Sequence, residues 1–461
     1  MKILKKMVNR MLVEKLGPIK KCNIELGQET ILLGRNNSGK TYISYLLYGM
    51  YKRIDKKRES FIKEFLGELI DTRTSLSIKI DKSVLSNYLE KEIVKDLNEN
   101  LKEDLPMIFN TSKNDFSETR IKILESDLKD FINSSLDKSS FIPDTISMKS
   151  LTTHIAVKIN NDEKYWELTL KDIEPIIDEE NDIDFDETDK SFLRIATLFL
   201  NRNIFRMQNI LYIPAERSGI NVFRKELAIE RSAKSFDVNS ELLPMEKYPL
   251  AISDYMKYLN LINPELLEGR LHHRNRMNIG ESFSVDILKG KYEYDSEQNE
   301  FYYREVYSSN SDKIKYKKKK IPLKISSSST KSLFGLEYYL KFLFSEGDIL
   351  FIDEPEMNLD PENQTKLAEL LVELSHKGVK IILSSHSDYL IRATTNKILE
   401  SKVNNEYLDH KIMGYYFEPD SVKTIGDLSE VEYINIFDDI NVKLEDNYFL
   451  LKNKLNQKDS N

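Results

Sequence analysis

Ile31-Leu32-Leu33-Gly34-Arg35-Asn36-Asn37-Ser38-Gly39-Lys40-Thr41 sets an apolar run directly before a G-x-x-x-x-G-K-T loop, and a helix-forming stretch follows. Strand, glycine-rich loop and helix in that order mark a phosphate-binding loop. Glycines let the backbone curl so that successive N–H groups converge on phosphate oxygens. A lysine then supplies a point charge to the β and γ groups, and a threonine hydroxyl ligates Mg2+. Gly34, Arg35, Asn36, Asn37, Ser38, Gly39, Lys40 and Thr41 are therefore the expected nucleotide-binding residues, with Thr41 also a metal ligand.

Far downstream, Asp348-Ile349-Leu350-Phe351-Ile352-Asp353-Glu354-Pro355 is an apolar run that ends in two carboxylates. A continuous apolar run suits a strand buried on both faces. At its end Asp353 is expected to hold the Mg2+ shell, and Glu354 to polarise the water that attacks the γ-phosphate. The bland reading is an ordinary strand with a charged turn. The segment Glu356-Met357-Asn358-Leu359-Asp360-Pro361 leads into an expected helix with Asp360 as N-cap, Pro361 in the first turn and Gly378 past the end. Leu367, Leu370, Leu371 and Leu374 fall on one face, which packs that helix on the sheet. A further buried strand, Val379 to Leu383, ends in Ser384-Ser385-His386-Ser387. His386 at such a strand end is a candidate to hydrogen-bond the γ-phosphate or the attacking water; the alternative is a structural histidine.

In these pieces the chain resembles the ABC-type ATPases, in particular the branch that includes SMC and RecF proteins and the OLD-like ATPases of bacterial phage defence. The opening Val13-Glu14-Lys15-Leu16-Gly17-Pro18-Ile19-Lys20, the loop, Asp353-Glu354-Pro355, the Asn358-Leu359-Asp360 turn and His386 carry the resemblance, and Tyr212-Ile213-Pro214-Ala215-Glu216-Arg217 looks like a Pro-Ala-Glu-Arg element of the defence ATPases. The resemblance implies an α/β fold: an ABC-type P-loop ATPase head with a mixed sheet, plus an inserted helical lobe with β-hairpins. It implies ATP and Mg2+ as cofactors, Asn358 to Asp360 as a loop touching a partner subunit, and His386 as the switch histidine. It also implies a homo-oligomer, dimer or higher, because such a head needs a signature segment from a second copy to cap its nucleotide. Ile325-Ser326-Ser327-Ser328-Ser329-Thr330 is the candidate signature, with Ser327 and Ser328 as nucleotide-binding residues, since hydroxyls and N–H groups at a helix start suit a phosphate. The usual glycine pair is missing, so slow hydrolysis is one expectation, and a serine linker that merely caps a helix is the alternative. The glutamine such heads use to ligate metal is not identifiable. Glu216 and Arg217 stand in a comparable place, either as chemistry, with Arg217 reaching phosphate or a neighbour, or as a structural salt bridge.

At 461 residues the chain has room for a large head and a second lobe. The expected head takes residues 1–51, 205–235 and 321–425, the lobe residues 52–204 and 236–320, and the tail residues 426–461. Lys52 to Leu105 reads as a compact helical lobe without a sustained heptad. Ile155 to Ile159 and Tyr165 to Leu170 read as a hairpin, and Phe283 to Leu323 as a second β region. The single Cys22 excludes an intramolecular disulfide and a CxxC metal site. No run reads as a membrane span or signal peptide, so a cytoplasmic protein without membrane contact is expected. The formal charge of -8 argues against a globally basic nucleic-acid coat but leaves room for a local face. Asp178 to Glu187 reads as a solvated acidic loop or a lure for a basic partner. Lys313 to Lys320 reads as a lysine-protected strand edge or a phosphate-tracking stripe with Tyr316 for stacking. His272, His273, Arg274 and Arg276 form a small basic patch without metal-ligand companions.

The resemblance to the defence ATPases implies a sensor or scaffold whose ATP-dependent assembly controls a separate effector protein, for example a Toprim-type nuclease, with a phage-encoded trigger. About seventy residues follow His386, too few for a whole Toprim domain, which is why the effector is expected on another chain. The alternative is a RecF-like DNA-repair ATPase that clamps DNA on ATP-driven dimerisation. A transporter's nucleotide-binding subunit is the third reading.

Overall fold

Two short strands, β1 (Arg10–Leu16) and β2 (Ile19–Glu25), form a hairpin around Gly17-Pro18 before the chain enters β3 (Glu29–Gly34), which is buried at every position. The computed structural model describes residues 10–71, 77–125, 145–149, 153–162, 164–175, 185–204, 209–224, 248–262, 279–298, 300–310, 313–408, 410–419, 421–431 and 445–452. From the phosphate loop α1 (Lys40–Asp71) runs unbroken through residue 51, the expected head boundary, and leads to β4 (Ser77–Asp81) and α2 (Lys82–Phe109). Asp81 caps α2 by accepting from the Ser83 and Val84 N–H groups, a cap worth about 1 kcal/mol. Arg53 ties the two long helices together through Asp96 and Asp104, both at 2.5 Å.

β5 (Arg120–Glu125) joins the first hairpin in a three-stranded antiparallel sheet. β6 (Thr145–Lys149), β7 (Thr153–Asn161) and β8 (Tyr165–Pro175) line up beside β4 in a second sheet, so the expected hairpin is present and longer than expected, with Ile159 opposite Leu168. After α3 (Phe185–Ile204) comes β9 (Ile210–Ile213), and residues 217–224 are helical. α4 (Leu250–Asn260) precedes a third sheet of β10 (Gly290–Asp295), β11 (Glu300–Asn310), β12 (Lys313–Tyr316) and β13 (Ile321–Pro322). Phe283–Ile287, expected within that β region, is instead a turn of π-helix. β12 lies on the edge of its sheet, and Lys317 and Lys320 after it pair with Glu305 and Glu293. Residues 178–184 and His272, His273, Arg274 and Arg276 lie outside the described residues.

The remaining elements are α5 (Ser328–Tyr338), β14 (Ile349–Asp353), α6 (Pro361–His376), β15 (Lys380–Ser385), α7 (Asp388–Val403), β16 (Ile412–Glu418) and β17 (Ser421–Asp427). They complete a six-stranded mixed sheet in the order β17-β16-β3-β15-β14-β9, parallel from β16 to β9, with β17 antiparallel. The protein is thus α/β with a mixed sheet. Alternation along the strands sorts the core: Leu32 and Phe351 face α1, while Ile31, Leu33, Leu350 and Ile352 face the α6 side. Trp166 of β8 belongs to the same buried cluster as Leu32 and Phe351, so the insertion shares the head's core. No helix among the described residues is long and apolar enough to cross a membrane.

Candidate active site

Because β3, β15 and β14 are parallel and in register, their C-terminal ends share one edge: Leu33 stands beside Ser385, and Ser384 beside Asp353. That edge receives the phosphate loop, the paired carboxylates and His386. The loop is shaped by positive φ at Gly34 (137°), Asn37 (60°) and Gly39 (100°). A Cβ on Gly34 would lie 2.2 Å from the Phe417 carbonyl oxygen, and one on Gly39 would lie 2.7 Å from the Ile19 side chain. Neighbouring strands therefore press on the loop from both sides, and only glycine fits there. Lys40 is buried, and its Nζ donates to the carbonyls of Gly34 (3.0 Å) and Arg35 (2.8 Å). Burial lowers its pKa against the opposing pull of Glu354, Asp353 and Glu356. A cation held on a glycine-curled loop, with N–H groups of a helix start beside it, fits a polyphosphate.

Asp353 is buried, with Ser384 Oγ donating to Oδ1 at 2.8 Å and Tyr212 donating its hydroxyl to Oδ2 at 2.5 Å. Burial pushes its carboxyl up to about 6, with the Glu216 and Glu354 charges adding to the rise and the two hydroxyls opposing it. The Tyr212 oxygen also lies 3.0 Å from Ser44 Oγ, one turn into α1, so a carboxylate on β14 is joined to the helix of the phosphate loop. Thr41 is exposed at the start of α1. Glu356 accepts from Ser385 Oγ (2.8 Å) and His386 N (2.6 Å) through Oε1, while its Oε2 is buried without a hydrogen-bond partner. An orphaned acceptor on Glu356, two residues after Glu354, suits a water or a hydrated cation, and so fits Mg2+ at this strand edge.

Glu354 follows with φ 46°, a left-handed conformation that costs a non-glycine residue about 1–2 kcal/mol. Its N–H donates to Ser384 O at 3.0 Å, and its Oε1 lies 3.5 Å from His386 Nε2. The imidazole, with help from Lys40 and Arg217, holds the Glu354 carboxyl below the usual range, which favours its ionised form. Asp360 caps α6 by accepting from Asn363 N at 3.1 Å, with Pro361 in the first turn, and Gly378 takes φ 93° past its end. Asn358 is exposed, with φ 66°.

Ser327 and Ser328 stand apart from this edge in their bonding. Ser327 is the N-cap of α5, accepting from Thr330 N at 3.2 Å, and both serines are exposed. Among the described residues, no hydrogen bond from this segment reaches the phosphate loop. Arg217 does not pair with Glu216. It is buried, and its guanidinium donates to the carbonyls of Asp353 (2.7 Å), Glu354 (2.7 Å), Pro355 (3.4 Å) and Pro214 (3.2 Å). A reach to phosphate or to a neighbour is thereby excluded for Arg217 in this conformation, while Glu216 is exposed.

Sequence reasoning missed Tyr212, Ser384, Ser44 and Glu356 as parts of the site. A tyrosine inside an otherwise aliphatic buried strand was the available signal, since a buried hydroxyl requires a partner.

Residues 7–391 match the AAA ATPase domain family. A putative ABC transporter ATP-binding protein of Methanosarcina acetivorans is 34% identical over 87 residues, which are 19% of this chain and 29% of the relative. The chain thus spans less than a third of that curated relative. Among solved structures, the SMC head bound to the C-winged helix domain of ScpA is similar at 12% identity, covering 91% of this chain and 97% of that one, with a TM-score of 0.33. The SMC head domain from Thermotoga maritima gives 11% identity, 93% and 100% coverage and a TM-score of 0.32.

Proposed function

The chain belongs to the AAA ATPase domain family, and on that premise we propose that it binds ATP with Mg2+ and hydrolyses the γ-phosphate bond. The observation that carries this reading is the shared strand edge, where Lys40, Asp353, Glu354 and His386 converge, with Glu354 Oε1 3.5 Å from His386 Nε2. The loop N–H groups and Lys40 bind and orient the triphosphate. Glu354 takes the proton of the attacking water, and His386 orients Glu354. Thr41 and Asp353 would hold Mg2+, which would supply neutralisation of charge on the phosphates.

The biological role we favour is an ABC-type sensor or scaffold of phage defence, in which ATP joins copies of this chain and so controls a separate effector. Its support is the Pro214-Ala215-Glu216-Arg217 segment, and the serines at the α5 start that are exposed and free of bonds to their own phosphate loop. A second copy would supply Ser327 and Ser328 to the nucleotide. Mass measurement of the purified protein with ATP and Mg2+, with ADP and without nucleotide tests this: a larger assembly only with ATP supports it, and one mass throughout contradicts it.

The RecF-like reading draws on Lys315, Lys318 and Lys319, which are exposed along and after the edge strand β12. DNA binding that weakens steeply with salt and stimulates hydrolysis would favour that alternative.

A further inference from the structure

Arg217 begins the short helix over residues 217–224, and three residues of that helix, Arg217, Ser218 and Asn221, bond to three different functional segments. Arg217 donates to the carbonyls of Asp353, Glu354 and Pro355, the turn that presents the base. Ser218 Oγ accepts from Asn358 Nδ2 at 3.3 Å, in the turn that follows the paired carboxylates. Asn221 Nδ2 donates to Lys331 O at 2.7 Å, in the first turns of α5, the helix capped by Ser327; its Oδ1 is fixed by the Tyr255 hydroxyl at 2.8 Å. The left-handed Glu354 turns neighbouring carbonyls toward one point, and a guanidinium offers a planar fork of five N–H donors to receive them. A lysine ammonium in the same place has three donors on a single atom and cannot span the turn.

We propose that Arg217 is a positioning residue that sets the Glu354 turn, and that the helix it begins couples the serine segment of α5 to the base of the same chain. A displacement of α5, as when a second copy's nucleotide docks on Ser327 and Ser328, is passed through Asn221 and Arg217 to the Glu354 carboxylate. The coupling is carried by the hydrogen bonds that this helix makes to the Glu354 turn and to α5. This inference rests on the hydrolytic reading of the site.

The test compares the full-length protein with Arg217→Lys and Asn221→Ala, measuring kcat and KM for ATP, affinity for a fluorescent ATP analogue, and the thermal midpoint. The expected result is a kcat about 100-fold lower in Arg217→Lys and about 10-fold lower in Asn221→Ala, with analogue affinity within about threefold of the parent. Turnover by Arg217→Lys at the parental rate overturns the inference, as does a loss confined to KM or analogue affinity. Should Arg217→Lys fail to fold, Asn221→Ala decides by the same readouts, since Arg217 stays in place. A parent that binds the analogue but releases no phosphate from ATP overturns the hydrolytic reading and this inference together; a hydrolysing parent with an unaffected pair of variants overturns this inference alone.

Discussion

The Tyr212 hydroxyl donates to Asp353 Oδ2 at 2.5 Å, a side-chain bond between β9, the edge strand of the central sheet, and the carboxylate at the end of its parallel neighbour β14. The phenol ring also stacks on Phe351, with centroids 5.7 Å apart at 13°. Position and hydrogen bond are therefore separable by a change that keeps the ring.

Tyr212→Phe preserves the stack and removes the donor to a buried carboxylate, which costs about 1.5–3 kcal/mol for a hydrogen bond to a charged group. Urea unfolding should show that loss. An unchanged midpoint would mean that Asp353 does not depend on this hydroxyl.

Gly34→Ala forces a methyl to within 2.2 Å of the Phe417 carbonyl oxygen at φ 137°. The clash is with backbone, which cannot swing aside, so β3 and β16 must part or the loop must refold. Destabilisation beyond about 1 kcal/mol and loss of ATP binding are expected. Calorimetric titration with ATP checks the second, and parental affinity would contradict the loop geometry.

His376 stacks on Tyr407 with ring centroids 3.7 Å apart, and its Nε2 is buried without a partner. Burial, with the His410 and Lys397 charges adding, depresses its pKa from 6.5 to about 3. Between those values the unfolded chain takes up a proton that the folded one refuses. The stability contribution is therefore complete above pH 6.5 and is lost as pH falls toward 3. The limiting slope is about 1.4 kcal/mol per pH unit for one proton. His376→Phe keeps a ring against Tyr407 and should flatten the acid side of a stability-versus-pH curve. Parallel curves for the two proteins would show that His376 does not titrate this way.

Much of this site was legible because its chemistry is local in sequence. The loop 34–41, the ends of β14 and β15, and the Asp360 cap each announce themselves through an apolar run followed by a polar residue at a strand or helix end. Four features were not legible. Arg217 bonds to main-chain carbonyls, which carry no residue code, so its partners 136 to 138 positions away could not be read from side-chain types. Tyr212 and Ser384 meet Asp353 only because the strand order places β14 between β9 and β15. The continuity of α1 past residue 51 was not legible either: its residues on both sides of that position, Tyr48 and Ile62 among them, belong to one buried cluster with α2. Phe283–Ile287 was expected within a β region because its apolar residues suit a strand as well as a helix; in the fold it closes as a π-turn, with Phe283 fully buried.

Phosphate release from ATP by the parent protein and by Glu354→Gln, with ATP binding measured on both, tests the hydrolytic site most directly. The arrangement of Glu354 against His386 predicts a rate about 100- to 10,000-fold lower in the variant with ATP still bound. Release at the parental rate would show that Glu354 is not the base and would contradict the account.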